Sequence, residues 1–278
     1  LQYRKFTKPR VFAYALILMA IQAVFAIRVS PGIITIRGIP VGVDTSLDFP
    51  LSCYNDTDDT LVYSIRVIKP SQVKERWRDG YEGIPDTTWL YLEDGNELLA
   101  LPNSKAKSMV RINIPDSDVY YNQMWAVYML VTPEKTGMFT AAVAPLFMLE
   151  TEVLPNPEVP PAGIPGIAPA AITLRNDSTK ASVMLYNTTD SILSLTLSTY
   201  IPDTEKGSAE IEATGNWYFD EDFKNGFSIS QEIVEIPPND KVILMISTDY
   251  FPTKRCQALI RIEGAPVVRF IRVFFSPI

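Results

Sequence analysis

One stretch of the chain occurs twice. CYNDTDDTLVYSIRVIKP, Cys53–Pro70, aligns without gaps on LYNTTDSILSLTLSTYIP, Leu185–Pro202, 132 residues further on. Tyr54/Tyr186, Asn55/Asn187, Thr57/Thr189, Asp58/Asp190, Leu61/Leu193 and Pro70/Pro202 are identical. Upstream, Phe49-Leu51-Cys53 and Ala181-Val183-Leu185 alternate with other residues; downstream, Leu61-Tyr63-Ile65-Val67 and Leu193-Leu195-Leu197 do the same. A period of two is the mark of a half-buried strand, so each copy is strand, short polar turn, strand. The first copy holds three acids, Asp56, Asp58 and Asp59, which raises the question of a bound cation. Only the Asn-Thr-Asp frame recurs in the second copy. Those side chains cap local backbone groups, whereas calcium needs six to eight oxygens, so the run reads as a turn.

Residues 155–169, PNPEVPPAGIPGIAP, carry six prolines in fifteen positions. Neither a core helix nor a central strand tolerates that density, which makes the stretch a linker between residues 28–154 and 170–278. The correspondence between the halves continues more loosely. Trp89 precedes Asp94-Gly95 and Trp217 precedes Asn225-Gly226, both hairpin-type dipeptides. Leu101–Ile114 and Ile236–Thr248 then pair a Pro/Asn turn with an alternating strand, and MWAVYMLV and CQALIRIE are followed by FTAAVAPLFML and VVRFIRVFF. About seven short strands per half, with little helical periodicity, predict an all-β chain of two tandem antiparallel β-sandwiches.

Charge is divided along the chain. The formal net charge is −7, yet residues 1–27 hold Arg4, Lys5, Lys8 and Arg10 and no acid. Val11–Ile27, VFAYALILMAIQAVFAI, is apolar but for Gln22 and would span about 26 Å as a helix. With residues 1–10 as a basic cytoplasmic flank, 11–27 reads as a single transmembrane helix, an uncleaved signal anchor. The rival reading is a cleaved secretory signal, since Val24-Phe25-Ala26 would suit a peptidase. Both put the sandwiches outside the cytoplasm. The expected location is therefore the cell inner membrane, single-pass, with the bulk of the chain periplasmic and the bilayer contacted through residues 11–27.

The pattern Asn-x-Thr-x-x-x-Leu between strands, then Trp, then a Pro-containing turn before the late strands, resembles bacterial immunoglobulin-like modules of the PapD/ASH type. The resemblance covers both halves and implies immunoglobulin-like sandwiches with roles in adhesion, chaperoning or the packing of accessory subunits. A pilus chaperone of this type implies a basic cleft that anchors a client's C-terminal carboxylate, and the sequence does not reveal such an Arg/Lys pair.

Histidine is absent, which excludes Ser-His-Asp and Cys-His catalysis and His-ligated zinc or haem. The acidic balance argues against a nucleic-acid partner. No cofactor and no metal site is expected, and the chain reads as a non-enzyme. Cys53 and Cys256 fall in different halves and read as buried free thiols. Asn55-Asp56-Thr57, Asn176-Asp177-Ser178 and Asn187-Thr188-Thr189 fit the N-glycosylation pattern. Pro70–Gly83, PSQVKERWRDGYEG, has no counterpart in the second half. Its Lys74, Arg76, Trp77 and Arg78 form the basic-aromatic patch outside the anchor, and Arg and Trp favour interface hot spots. The expectation is a membrane-anchored accessory subunit whose sandwiches brace or cover a larger membrane protein complex, respiratory, photosynthetic or transport, with other subunits as partners. The alternative is a stand-alone exported adhesion or ligand-binding module.

Overall fold

The computed structural model describes residues 27–73, 80–134, 141–202, 209–210 and 216–277. Within them lie two immunoglobulin-like β-sandwiches in tandem. The first is built from β1 (Arg28–Ser30), β2 (Ile33–Ile39), β3 (Asp44–Asn55), β4 (Leu61–Ile68), β5 (Glu82–Gly83), β6 (Leu90–Leu92), β7 (Glu97–Ala100), β8 (Ser104–Asn113), β9 (Met124–Pro133) and β10 (Leu146–Thr151). The second comprises β11 (Gly166–Ala168), β12 (Ala171–Arg175), β13 (Lys180–Tyr186), β14 (Leu193–Tyr200), β15 (Ala209–Glu210), β16 (Trp217–Phe219), a short helix α1 (Glu221–Gly226), β17 (Phe227–Ile229), β18 (Ile233–Ile236), β19 (Lys241–Thr248), β20 (Cys256–Glu263) and β21 (Arg269–Ser276).

The two sandwiches share one topology. Sheet I runs β1-β3-β8-β6 and sheet II β2-β10-β9-β4-β7; their counterparts are sheet III, β11-β13-β19-β17, and sheet IV, β12-β21-β20-β14-β18. Off these paths, the short β5 and β16 run parallel to β9 and β20; along them neighbours are antiparallel, except that β2 runs parallel to β10 and β12 to β21. The cause is a strand that changes sheets. β1 pairs with β3, the chain passes Pro31, and β2 joins β10 in the other sheet. β11 pairs with β13, the chain passes Pro169, and β12 joins β21. A proline lacks the N–H that continued pairing would need, so the switch falls there in both copies. β11 itself lies in the Pro-rich stretch expected to be linker, because Gly166–Ala168 fit between two prolines.

The repeated turn has one geometry in both copies. Asn55 Nδ2 donates to the carbonyls of Asp59, Ala100 and Leu101 at 2.7, 3.1 and 3.0 Å; Asn187 Nδ2 donates to those of Ser191, Ile236 and Pro237 at 2.7, 3.0 and 3.0 Å. Each Asn Oδ1 accepts from the backbone N–H of the Thr two residues on, at 3.0 Å. The conserved acid takes part as well, since Asp58 accepts from Asn103 and Asp190 from Asn239. The frame joins strand ends in both sheets, which explains why its Asn, Thr and Asp recur while Asp56 and Asp59 do not.

Neither Gly-containing dipeptide closes a hairpin. Asp94-Gly95 turns the chain from β6 in sheet I to β7 in sheet II, and Asn225-Gly226 ends α1, whose Asp220 cap accepts from Phe223 N–H. A turn signal sets a local reversal but not which strands then pair. Cys53 and Cys256 are free and buried, and burial pushes both thiols up to about 12. β9 and β10 do not alternate because both their faces are covered: Trp125, Val127, Phe147 and Leu149 fill the first core, while Met124, Ala126, Tyr128, Leu146 and Met148 join a cluster that extends into the second sandwich.

Candidate functional site

The junction between the sandwiches concentrates buried charge. Along β10, alternation puts Phe147 and Leu149 in the core and Leu146, Met148 and Glu150 on the outer face of sheet II. Along β21 it puts Ile271, Val273 and Phe275 in the core and Arg272 and Phe274 on the outer face of sheet IV. Glu150 Oε2 accepts from Arg37 Nε of β2 at 3.0 Å. Its other oxygen accepts from the Tyr81 hydroxyl and lies 3.6 Å from Arg272 Nη2. That guanidinium also donates to Tyr81 Oη at 2.8 Å and to Gln257 Oε1 at 3.3 Å. The Arg37 guanidinium stacks over the Phe274 ring, 4.8 Å from its centroid. Side-chain exposure is 0% for Arg272, 8% for Glu150 and 23% for Arg37. One carboxylate of sandwich 1 thus bridges a cation of each sandwich in a largely buried setting, where electrostatic interactions are stronger than in water.

A second bridge fastens the linker. Arg269 Nε pairs with Glu82 at 2.9 Å, and Arg269 Nη1 donates to the carbonyls of Ala162 and Pro165 at 2.8 and 3.0 Å. Burial pulls the Arg269 pKa down, with Glu82 acting in the opposite sense. Gly163, at φ +104°, lies so close that an added Cβ would come within 1.5 Å of Arg269 Nη1, so the linker has to be glycine there.

A cavity of about 210 Å³ adjoins this network, lined in part by Arg37, Asn122, Gln123, Glu150 and Phe274. Its amides are engaged by the chain itself: Asn122 Nδ2 donates to Leu154 O at 2.8 Å and Gln123 Nε2 to the carbonyls of Tyr121 and Val119. The resemblance implied a basic cleft that receives a client's carboxylate. Here two arginines do converge between the sandwiches, but the carboxylate they meet is the chain's own Glu150.

Lys74, Arg76, Trp77 and Arg78, singled out in the sequence, lie outside the described residues. Tyr81 and Glu82, which follow them in sequence, are at the junction. Arg37, Glu150, Arg269 and Arg272 went unrecognised in the sequence. The available signal was charge inside apolar strands, Glu150 after LFML and both arginines within VVRFIRVFF. Of the glycosylation triplets, Asn55 and Asn187 are buried with their amides bound to three carbonyls each, whereas Asn176 is exposed. Among the described residues no group of three or more acidic or cysteine side chains is placed to hold a metal ion, and no helix is long and apolar enough to cross a membrane. Residues 11–26 of the expected anchor lie outside the described residues.

No family model matches the sequence, and no curated protein matches it. Solved structures do. A protein of unknown function from Porphyromonas gingivalis W83 is similar at 13% identity and a TM-score of 0.37, over 90% of this chain and 99% of that one. The E. coli chaperone DraB is similar at 9% identity and a TM-score of 0.33, over 91% and 99%. The ASH/PapD-like domain 7 of human CEP192 is similar at 10% identity and a TM-score of 0.33, over 54% and 96%.

Proposed function

We infer that the chain is a non-enzymatic accessory subunit, anchored in a membrane through residues 11–27, whose two extracytoplasmic sandwiches act as one rigid body that braces or covers a larger membrane protein complex. The observation that carries this reading is the closed junction. Arg37 and Arg272 are neutralised in part by Glu150 and held by Tyr81, and Arg269 ties the linker to Glu82. A body that has to transmit or resist load between partners gains from a stiff junction, whereas a client-binding cleft would keep its cations for the client. The patch Lys74, Arg76, Trp77 and Arg78 remains the contact proposed for other subunits, since in sequence it closely precedes Tyr81 and Glu82, which are held at the junction.

Purification from membranes in mild detergent, followed by native electrophoresis, tests the reading. Co-migration with a large assembly is the expected result. A chain that runs alone in every detergent favours the alternative, a stand-alone adhesion or ligand-binding module. Saturable binding of a free C-terminal peptide carboxylate at the junction, lost on blocking that carboxylate, would contradict the reading.

A further inference from the structure

Strand register aligns the two sandwiches residue by residue, and it also aligns their filled and empty spaces. Where the first strand of each sandwich changes sheets, at Pro31 and at Pro169, a mouth opens between the sheets. In sandwich 1 the mouth is filled. β3 carries extra residues between Ser46 and Pro50, Leu47 is buried, and the Phe49 ring stacks on Phe147 at a centroid distance of 6.1 Å. In sandwich 2 the position matching Phe49 is Ala181, next to Ser182, which matches Pro50. Phe147, opposite Ile34, becomes Val273, opposite Ile172, and Ile33 becomes Ala171. The two stacked rings of sandwich 1, Phe49 and Phe147, have thus become Ala181 and Val273, and β13 pairs with β19 without the extra residues. A groove of about 350 Å³ lies there, lined by residues that include Pro155, Ala171, Ile172, Ala181, Met184 and Ile243, with no charged side chain.

The walls of this groove are strand edges. Among the described residues β12 pairs with β21 alone, and β13 is free of β11 at Ala181–Val183. Free edges accept an added strand. Apolar surface continues onto the rim, where Ile243 is 58% and Val153 49% exposed. The same face of sheet I is charged: by register Lys107 stands where Ile243 does and Arg111 where Ser247 does. Arg111 there pairs with Asp44 and Glu93, while Ser247 meets Ser228 at 3.0 Å. One copy has kept its outer face wet and its mouth plugged; the other has neither feature.

We propose that this groove is a docking site for an extended segment of a partner protein that inserts an aromatic side chain where Phe49 sits in sandwich 1. Sandwich 1 defines the occupant's chemistry: a ring carried on a strand, uncharged, seated against β10 there and against its counterpart β21 in sandwich 2. The proposal goes beyond the accessory-subunit reading and stands on the register comparison.

The test uses the full chain in detergent, with methyl resonances of Ile172, Met184 and Ile243 as reporters. The probe is an acetylated, amidated hexapeptide alternating Ser or Thr with Val and one central Phe, compared with the same peptide carrying Ser in place of Phe. The Phe peptide shifts the reporters saturably, and both the Ser peptide and the variant Ala181→Phe weaken binding at least about tenfold. Absence of a shift, equal shifts by both peptides, or a shift that persists in Ala181→Phe overturns the proposal. Shifts that follow protein concentration without peptide also overturn it, in favour of a second copy of this chain. If Ala181→Phe lowers the thermal midpoint sharply, Ile243→Ser on the exposed rim takes its place with the same outcomes. Co-migration with a complex alongside a silent groove would remove this proposal and leave the accessory role standing; a responsive groove on a chain that runs alone would do the reverse.

Discussion

Replacing Glu150 with glutamine removes the negative charge that, among the described residues, bridges Arg37 and Arg272, and leaves the surrounding shape nearly intact. At 3.6 Å and an effective dielectric near 20, the attraction between Glu150 and Arg272 is about 5 kcal/mol before desolvation. Desolvation cancels much of that, so the pair itself is worth little against an apolar replacement. Removing one partner is different, because Arg272, at 0% exposure, stays buried after losing this carboxylate, at a cost of about 3–5 kcal/mol. Arg37 is partly exposed and regains water, so it adds little. For a body of this size the thermal midpoint should fall by roughly 6–20 °C. The assay is thermal and urea unfolding of the full chain followed by tryptophan fluorescence, with Trp89 and Trp125 in sandwich 1 and Trp217 in sandwich 2. Glu150→Gln is expected to shift the midpoint and to separate the two sandwiches' transitions. Glu150→Leu combined with Arg272→Met should recover most of the loss, since no charge is then stranded. Asp44→Asn, at the exposed Arg111 pair, serves as control and leaves the midpoint in place. A fall of less than about 2 °C for Glu150→Gln, or a double variant worse than either single one, would refute the reasoning.

Three further outcomes follow from the same geometry. Asn187→Asp replaces an amide donor with a carboxylate that faces three carbonyl oxygens at 2.7–3.0 Å; it should cost about 2–4 kcal/mol in urea unfolding, and more than Asn187→Ala. Gly163→Ala places a methyl group on the Arg269 guanidinium, so limited proteolysis should cut the linker faster in the variant than in the parent. The thiols, pushed up to about 12 from an ordinary 9, stay protonated in the native state while the unfolded chain releases those protons. Stability from this source is therefore full below about pH 9 and lost as pH rises toward 12. At pH 8 the native thiolate fraction is on the order of 10⁻⁴, so a thiol reagent should label both cysteines only after unfolding.

The repeated turn was legible because its chemistry is local. Asn187 and Thr189 bond to groups within a few residues and to one neighbouring strand, and those demands are written in a short motif. Two sandwiches were legible for a related reason, since period-two alternation records which face of a strand meets the core. Legibility failed where a contact depends on a partner distant in sequence. Glu150 and Arg272 are 122 positions apart, and nothing near either residue specifies the other. Their strands looked like ordinary core because both faces of β10 and β21 are covered, which hides alternation and makes a buried charge resemble the end of an apolar run. Asn225-Gly226 misled for the opposite reason. The dipeptide is a sound turn signal, but Asp220 caps a helical turn just before it and so decides the local structure. The change of sheet at Pro31 and Pro169 was also unreadable, because a proline inside a strand-like run marks an interruption without saying which sheet the chain joins next.

The claim on which the functional reading depends is that the two sandwiches form one rigid body. Spin labels at Glu97→Cys on β7 and Glu235→Cys on β18, both exposed positions on corresponding strands of the two sandwiches, report the distance between them by pulsed electron resonance, with the native thiols too buried to label. A single narrow distance distribution for the parent chain that broadens on adding Glu150→Gln is the predicted result. A broad or multiple distribution in the parent chain would contradict it.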